Sequence, residues 1–312
     1  MIDLLLLGNG AMVPLPSRPL SALQMRFGGS LVLFDCGEVT QVQMRKFHWG
    51  FRQVDAICLT HLHADHVAGL PGLFHTVANA GRTEPMHIYG PTGTLQVIRG
   101  LRVIAEWLPY DMVVHELDDG DSFDLLPGVR ATVRLGEHRI PCLGWRVDVD
   151  RSPAFQPDIA RGLGVPQTEW SRLQRGEAVS VGDRLVQPSD VLGPPRPGIS
   201  FAFVTDTRVT PALQDLASNV DLLICESTYG SREDDTRAEA WGHMTLQQAC
   251  QFATDVNARQ LWLTHFGGTI ANPLDLAPEA TALFENAVIG QPGTTTTLAY
   301  DGANPVEVLA VT

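Results

Sequence analysis

An α/β architecture, with helix-covered sheets and one long insertion, is what the 312-residue sequence predicts. Short apolar, β-rich runs recur along the chain: "LLLLG", "SLVLFDCG", "VDAICLTH", "MHIYGP", "ATVRL", "LGWRVDV", "ISFAFVTD", "VDLLICES", "RQLWLTHF" and "VEVLAV". Stretches compatible with helices fall between several of them, at 67–80, 92–107, 211–218 and 243–257. Early strands follow one another closely and later ones alternate with helices, the pattern of sheets under helical cover. A third observation is the break in that pattern at 151–198, a proline-rich segment ending in "VLGPPRPG". Because "ISFAFVTD" resumes the strand pattern at once, the segment reads as an excursion from a single domain over 1–312. Composition alone suits a long surface loop equally well.

The first run, "MIDLLLLGNG", reads as a buried strand: Asp3 interrupts it, and it is too short for a secretory core or a membrane span. At 44% hydrophobic and 18% charged residues, the chain has an ordinary globular composition. Its 35 acidic residues against 22 basic ones give a formal net charge of -13, and Lys46 is the only lysine. That balance argues against general nucleic-acid affinity, which rests on many phosphate contacts. A local basic site remains compatible with it, and a pair of bound dications would offset it. The five cysteines (Cys36, Cys58, Cys142, Cys225 and Cys250) are scattered, odd in number and never form a C-x-x-C pair. They suit a reducing cytoplasm, and argue against a disulfide framework or a cysteine zinc site.

One stretch carries chemistry. Residues 59–66 read "LTHLHADH", placing His61, His63, Asp65 and His66 where an apolar strand breaks into a loop. Burying so many polar side chains is costly unless something neutralises them. Alternation puts His61 and His63 on one side of an extended backbone, able to grip a single metal ion. Asp65 and His66 then begin a second site. The remaining ligands must come from elsewhere, and "ICLTH", "FAFVTD" and "LWLTH" share a form: apolar strand, threonine, ligand type. They mark His61, Asp206 and His265, and His138 in "RLGEHRIP" also follows a β-branched run. An aspartate can bridge two ions, which suits Asp206. Asp206 also suits a turn cap and His265 a surface histidine; His138 has the weakest context. His48, His75, His87 and His115 lack the strand-end setting and read as structural.

The motif "THLHADH" resembles the His-x-His-x-Asp-His signature of the metallo-β-lactamase superfamily. Together "LLGNGAMVP", "FDCGEVTQVQM", "THLHADHVAGLPGL", "VLGPPRPG", "FVTDT", "CESTYGSREDD", "GHMT" and "LTHFGG" resemble, in this order, the ribonuclease Z branch, endonucleases that trim tRNA 3′ ends. The resemblance runs nearly end to end. It implies a four-layer αββα sandwich with an inserted arm, and two zinc ions per subunit at one edge, with manganese or iron also compatible. It implies that His61, His63 and His138 hold one ion, that Asp65, His66 and His265 hold the other, and that Asp206 bridges them. Asp35 would orient a ligand from beneath.

The implied activity is zinc-dependent phosphodiester cleavage that removes 3′ trailers from precursor tRNA, through a hydroxide formed on the metals. Asp65 would accept the proton, and His243, oriented by Glu226, would serve the departing ribose oxygen. The segment 151–198 would be the arm that holds tRNA, or a lid over the cleft, and the protein a cytoplasmic homodimer without a membrane segment. The alternative is a hydrolase of the same fold acting on a small phosphodiester, ester or lactone. It draws on the acidic charge, on an arm with six arginines against five acids, and on replacements at Cys225 and Met244. In the family a histidine and a serine stand at those two positions, groups able to contact phosphate or bases.

Overall fold

The computed structural model describes residues 1–300, 302–303 and 305–309. In chain order the strands begin with β1 (Ile2–Gly8), β2 (Ala22–Phe27), β3 (Ser30–Phe34), β4 (Val54–Cys58), β5 (Met86–Pro91) and β6 (Met112–Leu117). Next come β7 (Ser122–Leu126), β8 (Val129–Leu135), β9 (Leu143–Arg151), β10 (Val179–Val181), β11 (Arg184–Val186) and β12 (Arg196–Val204). The last are β13 (Leu222–Glu226), β14 (Leu261–Thr264), β15 (Ala287–Ile289), β16 (Thr294–Ala299), β17 (Gly302–Ala303) and β18 (Glu307–Val308). Helices α1 (Thr40–Lys46), α2 (Ala64–Val67), α3 (Leu70–Asn79), α4 (Thr94–Leu101), α5 (Pro157–Gly162) and α6 (Trp170–Gln174) fall in the first part of the chain. They are followed by α7 (Pro211–Leu216), α8 (Asp235–Trp241), α9 (Leu246–Asp255) and α10 (Ala277–Leu283).

Chain contacts separate two compact units, Met1–Asp148 with Ser200–Thr312, and Val149–Ile199. The larger unit is built on two mixed sheets. One runs β17-β16-β1-β2-β3-β4-β5-β6, with β18 also on β16; the other runs β15-β14-β13-β12-β9-β8-β7. Strand alternation assigns each residue to a layer. On β3, Leu31 and Leu33 face a core shared with Met44 of α1, Phe74 of α3 and Ile98 of α4. Phe34 points the other way, and its ring centroid lies 6.0 Å from Trp145, 5.5 Å from Phe201 and 6.0 Å from Phe203 of the second sheet. On β12, Ala202 and Val204 alternate with those phenylalanines and pack with Leu213 of α7 and Phe252 of α9. Helix, sheet, sheet, helix is therefore the order of layers, the αββα sandwich that the resemblance implies.

The parallel half of each sheet positions the site. Strands β3 to β6 are parallel, as are β12 to β15. Parallel strands deliver their carboxyl ends to one edge, where ligands of open α/β sheets bind. Asp35 follows β3, His61 lies just past β4, Asp206 just past β12, Glu226 ends β13 and His265 follows β14. Asp35, Asp206 and His265 adopt left-handed backbone, with φ of 57°, 53° and 56°. Such a conformation costs a non-glycine residue roughly 1–3 kcal/mol and persists where the surroundings fix it.

The smaller unit is not a structureless loop. It carries α5, α6 and the antiparallel β10–β11 hairpin, and its own core of Ala160, Val165, Leu173, Val179, Val186 and Val191. Local short-range order thus replaces the surface loop that composition suits. Its arginines are largely engaged: Arg161 pairs with Asp158, Arg172 with Glu169 and Glu177, and Arg175 with Glu177. All five cysteines are free and buried. Among the described residues, no helix is long and apolar enough to cross a membrane.

Candidate metal centre

The stretch after β4 stays extended through His63, which caps α2 with φ -69° and ψ 155°. The single helical turn that follows carries Asp65 and His66, and the His66 ring centroid stays 4.0 Å from that of His61. Nε2 of His61 and Nδ1 of His63 come within 3.0 Å, and Nε2 of His138 lies 3.2 Å from the same His63 atom. Nearby, Nε2 of His66 and Nε2 of His265 approach to 3.2 Å, each 3.1 Å from Oδ2 of Asp206. Asp65 Oδ2 stands 3.7 and 3.6 Å from those two nitrogens. Asp206 also reaches the first group, with Oδ1 3.8 Å from His61 Nε2. All seven residues singled out in the sequence are brought together.

The donor pattern shows what such a cluster accommodates. His66 Nδ1 lies 2.7 Å from Asp35 Oδ2, and His138 Nδ1 lies 3.1 Å from the carbonyl of Gly242. Both partners only accept, so each Nδ1 carries the proton. His61 Nδ1 meets Thr60 Oγ1 at 3.1 Å, a hydroxyl whose own proton goes to Asp35. His265 Nδ1 meets Thr228 Oγ1 at 3.0 Å, and that hydroxyl donates to Glu226. In each of the four rings the outward nitrogen donates, which leaves the Nε2 lone pair facing inward. Asp206 Oδ2, buried among them, has no hydrogen-bond donor. Ring nitrogens and carboxylate oxygens converging on one point fit a divalent cation.

The electrostatics run the same way. Burial, with His66 close by, pushes the His61 pKa well below its ordinary value. For His66 burial works against the charged form, yet the carboxylates of Asp35 and Asp206 hold it well above normal. Burial likewise opposes ionisation of Asp206 and Asp65, but the surrounding histidines keep both carboxyls well below the usual range. A cation here would take the place of the proton that the carboxylates otherwise draw onto His66.

Beside this cluster stands a second pair. His243 Nδ1 lies 3.2 Å from Oε2 of fully buried Glu226. Glu226 also accepts from the amides of Thr207 at 2.7 Å and Met244 at 3.1 Å. Burial opposes the charge on His243, but Glu226 outweighs it and raises the pKa to about 9. With Nδ1 turned to Glu226, Nε2 is the atom left for a substrate. A cavity of about 400 Å³ is lined by His63, Asp65, His138, Asp206, His243 and His265, with Met12, Arg139, Tyr229, Arg237 and Trp241 also on its wall.

Three contributors are new at this level. Thr60 and Thr228 fix ligand tautomers, and the amide of Met12 donates to Asp65 Oδ2 at 2.7 Å. Thr60 directly precedes His61 in the strand–threonine–ligand pattern, which carried that signal; nothing in the sequence pointed to Thr228 or Met12. The replacements at Cys225 and Met244 do not reach the cleft. Both side chains are fully buried in the core beneath α9, their sulfurs 3.8 Å apart. They therefore remove no substrate contact. Of the histidines set aside, His87 and His115 pair at 3.1 Å and stack with Tyr89, outside the cleft.

Similarity to known proteins agrees with this geometry. A family model, the beta-lactamase superfamily domain, matches residues 31–179 and 190–266. The Ribonuclease Z of Agathobacter rectalis is 38% identical over 96% of this chain and 99% of its own. That of Clostridium tetani is 41% identical over 93% of this chain and 96% of its own. The crystal structure of human tRNase Z, short form, superposes with a TM-score of 0.69 at 25% identity, covering 95% of this chain and 99% of that one.

Proposed function

The chain belongs to the ribonuclease Z family of the beta-lactamase superfamily, and from that premise we propose how its cleft works. It is a metal-dependent endoribonuclease of tRNA 3′-end processing. Two zinc ions per subunit is our reading, with His61, His63 and His138 holding one, Asp65, His66 and His265 the other, and Asp206 shared. Manganese or iron would accept the same donors. When bound, the metal supplies Lewis acidity that activates water and offsets charge on the phosphoryl oxygens.

The chain's own residues do the rest. Asp65, held ionised and steadied by the Met12 amide, accepts the proton of the attacking water. His243, charged at neutral pH beside Glu226, gives its Nε2 proton to the ribose oxygen as it leaves. Glu226 holds Nδ1 and thereby fixes which nitrogen faces the substrate. The observation that carries this reading is the cage of inward lone pairs around the unsatisfied Asp206 oxygen.

Family membership also supports a homodimer in the cytoplasm, with the 151–198 segment as the arm that holds tRNA. Light scattering tests the dimer, and a strictly monomeric species overturns it. The function is tested with purified, zinc-loaded protein, a 3′-extended precursor tRNA and bis-(p-nitrophenyl) phosphate in parallel. Cutting at the base of the acceptor stem, lost in His63→Ala, is the expected result. Diester hydrolysis without tRNA cleavage would instead assign the cleft to a smaller substrate.

A further inference from the structure

On the wall of the metal cleft, the guanidinium of Arg139 lies 4.6 Å above the ring of Trp241. On the same cavity wall Arg237, one turn before Trp241 on α8, lies 5.3 Å from the ring of Tyr229. Among the described residues neither arginine has a carboxylate partner. Their neighbour Arg208, by contrast, is tied to both Glu137 and Glu239. In a chain of net charge -13, two uncompensated guanidinium groups at one cleft mouth mark a place for an anion. Trp241 is 46% exposed, although it carries a large apolar surface that burial would favour.

The position of the indole is fixed rather than incidental. Helix α8 ends at Trp241, and Gly242 follows as its left-handed cap with φ 71°. A Cβ at Gly242 would stand 2.8 Å from the carbonyl oxygen of Glu137 and 2.9 Å from Cα of His138, so only glycine fits there. The Gly242 carbonyl in turn accepts from His138 Nδ1. The run Trp241–Gly242–His243 is thus clamped onto His138–Arg139, and the indole moves with the metal ligand and the proton donor.

We infer that Trp241, braced by Arg139, is the stacking platform for the base of the nucleotide whose ribose oxygen departs. The inference rests on the function proposed above and names a specificity-determining contact within it. Base–aromatic stacking tolerates any base, because every base presents a π face. Arg139 adds a cation over the indole. Trp241 stands two residues from His243, the residue assigned above to the departing oxygen, on the wall of the same cavity. An arm whose arginines are largely paired would leave this edge to hold the cleaved end.

The test compares two precursor tRNAs with the zinc-loaded holoenzyme, one intact and one abasic at the last retained nucleotide. Trp241→Ala should raise KM about tenfold on the intact precursor, with kcat little changed, and add no further loss on the abasic one. Trp241→Phe, which keeps a π face, should recover most of the affinity. Equal losses on both substrates, or no loss on either, would overturn the inference. If the wild-type holoenzyme leaves both precursors uncut, the functional reading falls instead. Stacking is then judged by quenching of indole fluorescence with an adenylate trinucleotide. Quenching lost in Trp241→Phe upholds the platform, and equal or absent quenching in the two proteins rejects it.

Discussion

Oδ2 of Asp35 lies 2.7 Å from Nδ1 of His66, and neither side chain is exposed to solvent. Oδ1 of the same carboxylate accepts the Thr60 amide at 2.8 Å, and the Thr60 hydroxyl bonds both oxygens. One buried group therefore sets the tautomer of His66 directly and that of His61 through Thr60. Asp35→Asn keeps the shape but offers an amide where a full acceptor is required. Such a change beneath a metal ligand typically costs about 10–100-fold in affinity. Zinc competition with a chromogenic chelator should show that loss, with activity partly restored at saturating zinc. Unchanged affinity would mean that the orientation of His66 is set elsewhere.

His63 and His243 face the same cavity and should fail in different ways. His63→Ala removes a donor from the cluster with His61 and His138, so zinc content and activity should fall together. His243→Ala removes no candidate ligand of the seven and should leave zinc bound. Loss of its proton should slow the chemical step by roughly 10²–10⁴-fold. Metal analysis alongside single-turnover cleavage distinguishes the two variants. Full activity in His243→Ala would remove that residue from the mechanism.

The candidate residues that converge were legible in the sequence because His61, His138, Asp206 and His265 each follow a strand end, where an apolar run breaks. Parallel strands share an edge, so such residues converge even when far apart in the chain. Asp35, in "LFDCG", has the same setting. What the sequence obscured follows from local physics. Helices α1, α8 and α10 have only seven residues each, too few for a clear apolar period. The smaller unit's core draws on isolated valines and alanines from short elements, which leave no stripe to read. Cys225 and Met244 misled for another reason. For Cys225, a neighbour of a cleft residue need not itself face the cleft, since β13 alternates Cys225 toward the helices and Glu226 toward the site.

Returning Met244 to the serine of the family pattern tests that last point. Met244 is fully buried with its sulfur 3.8 Å from that of Cys225. Truncating a buried methionine costs about 2–5 kcal/mol through lost burial and the cavity left behind. The serine hydroxyl would also need a partner in that core. Met244→Ser should therefore lower the melting temperature distinctly while the folded fraction cleaves as the parent does. A change in KM without loss of stability would place the side chain at the substrate after all.

The Glu226–His243 pair predicts the alkaline limb of activity. Burial alone would lower the pKa of His243; the charge and hydrogen bond of Glu226 outweigh it and raise the value to about 9, against an ordinary 6.5. A raised pKa keeps the imidazolium present through neutral pH and loses it as pH climbs through about 9. If that proton goes to the ribose oxygen, kcat should hold to the alkaline side of neutrality and then fall. The same sign governs stability: the pair's contribution is complete below 6.5 and fades as pH rises toward about 9. Glu226→Gln removes the largest charge holding the proton, while burial and the carboxylates of Asp206 and Asp65 remain, so the falling limb should move to lower pH. The profile is measured at saturating zinc, so that ligand protonation does not intrude. If the limb stays in place in Glu226→Gln, it belongs to another group, and His243 is not the acid.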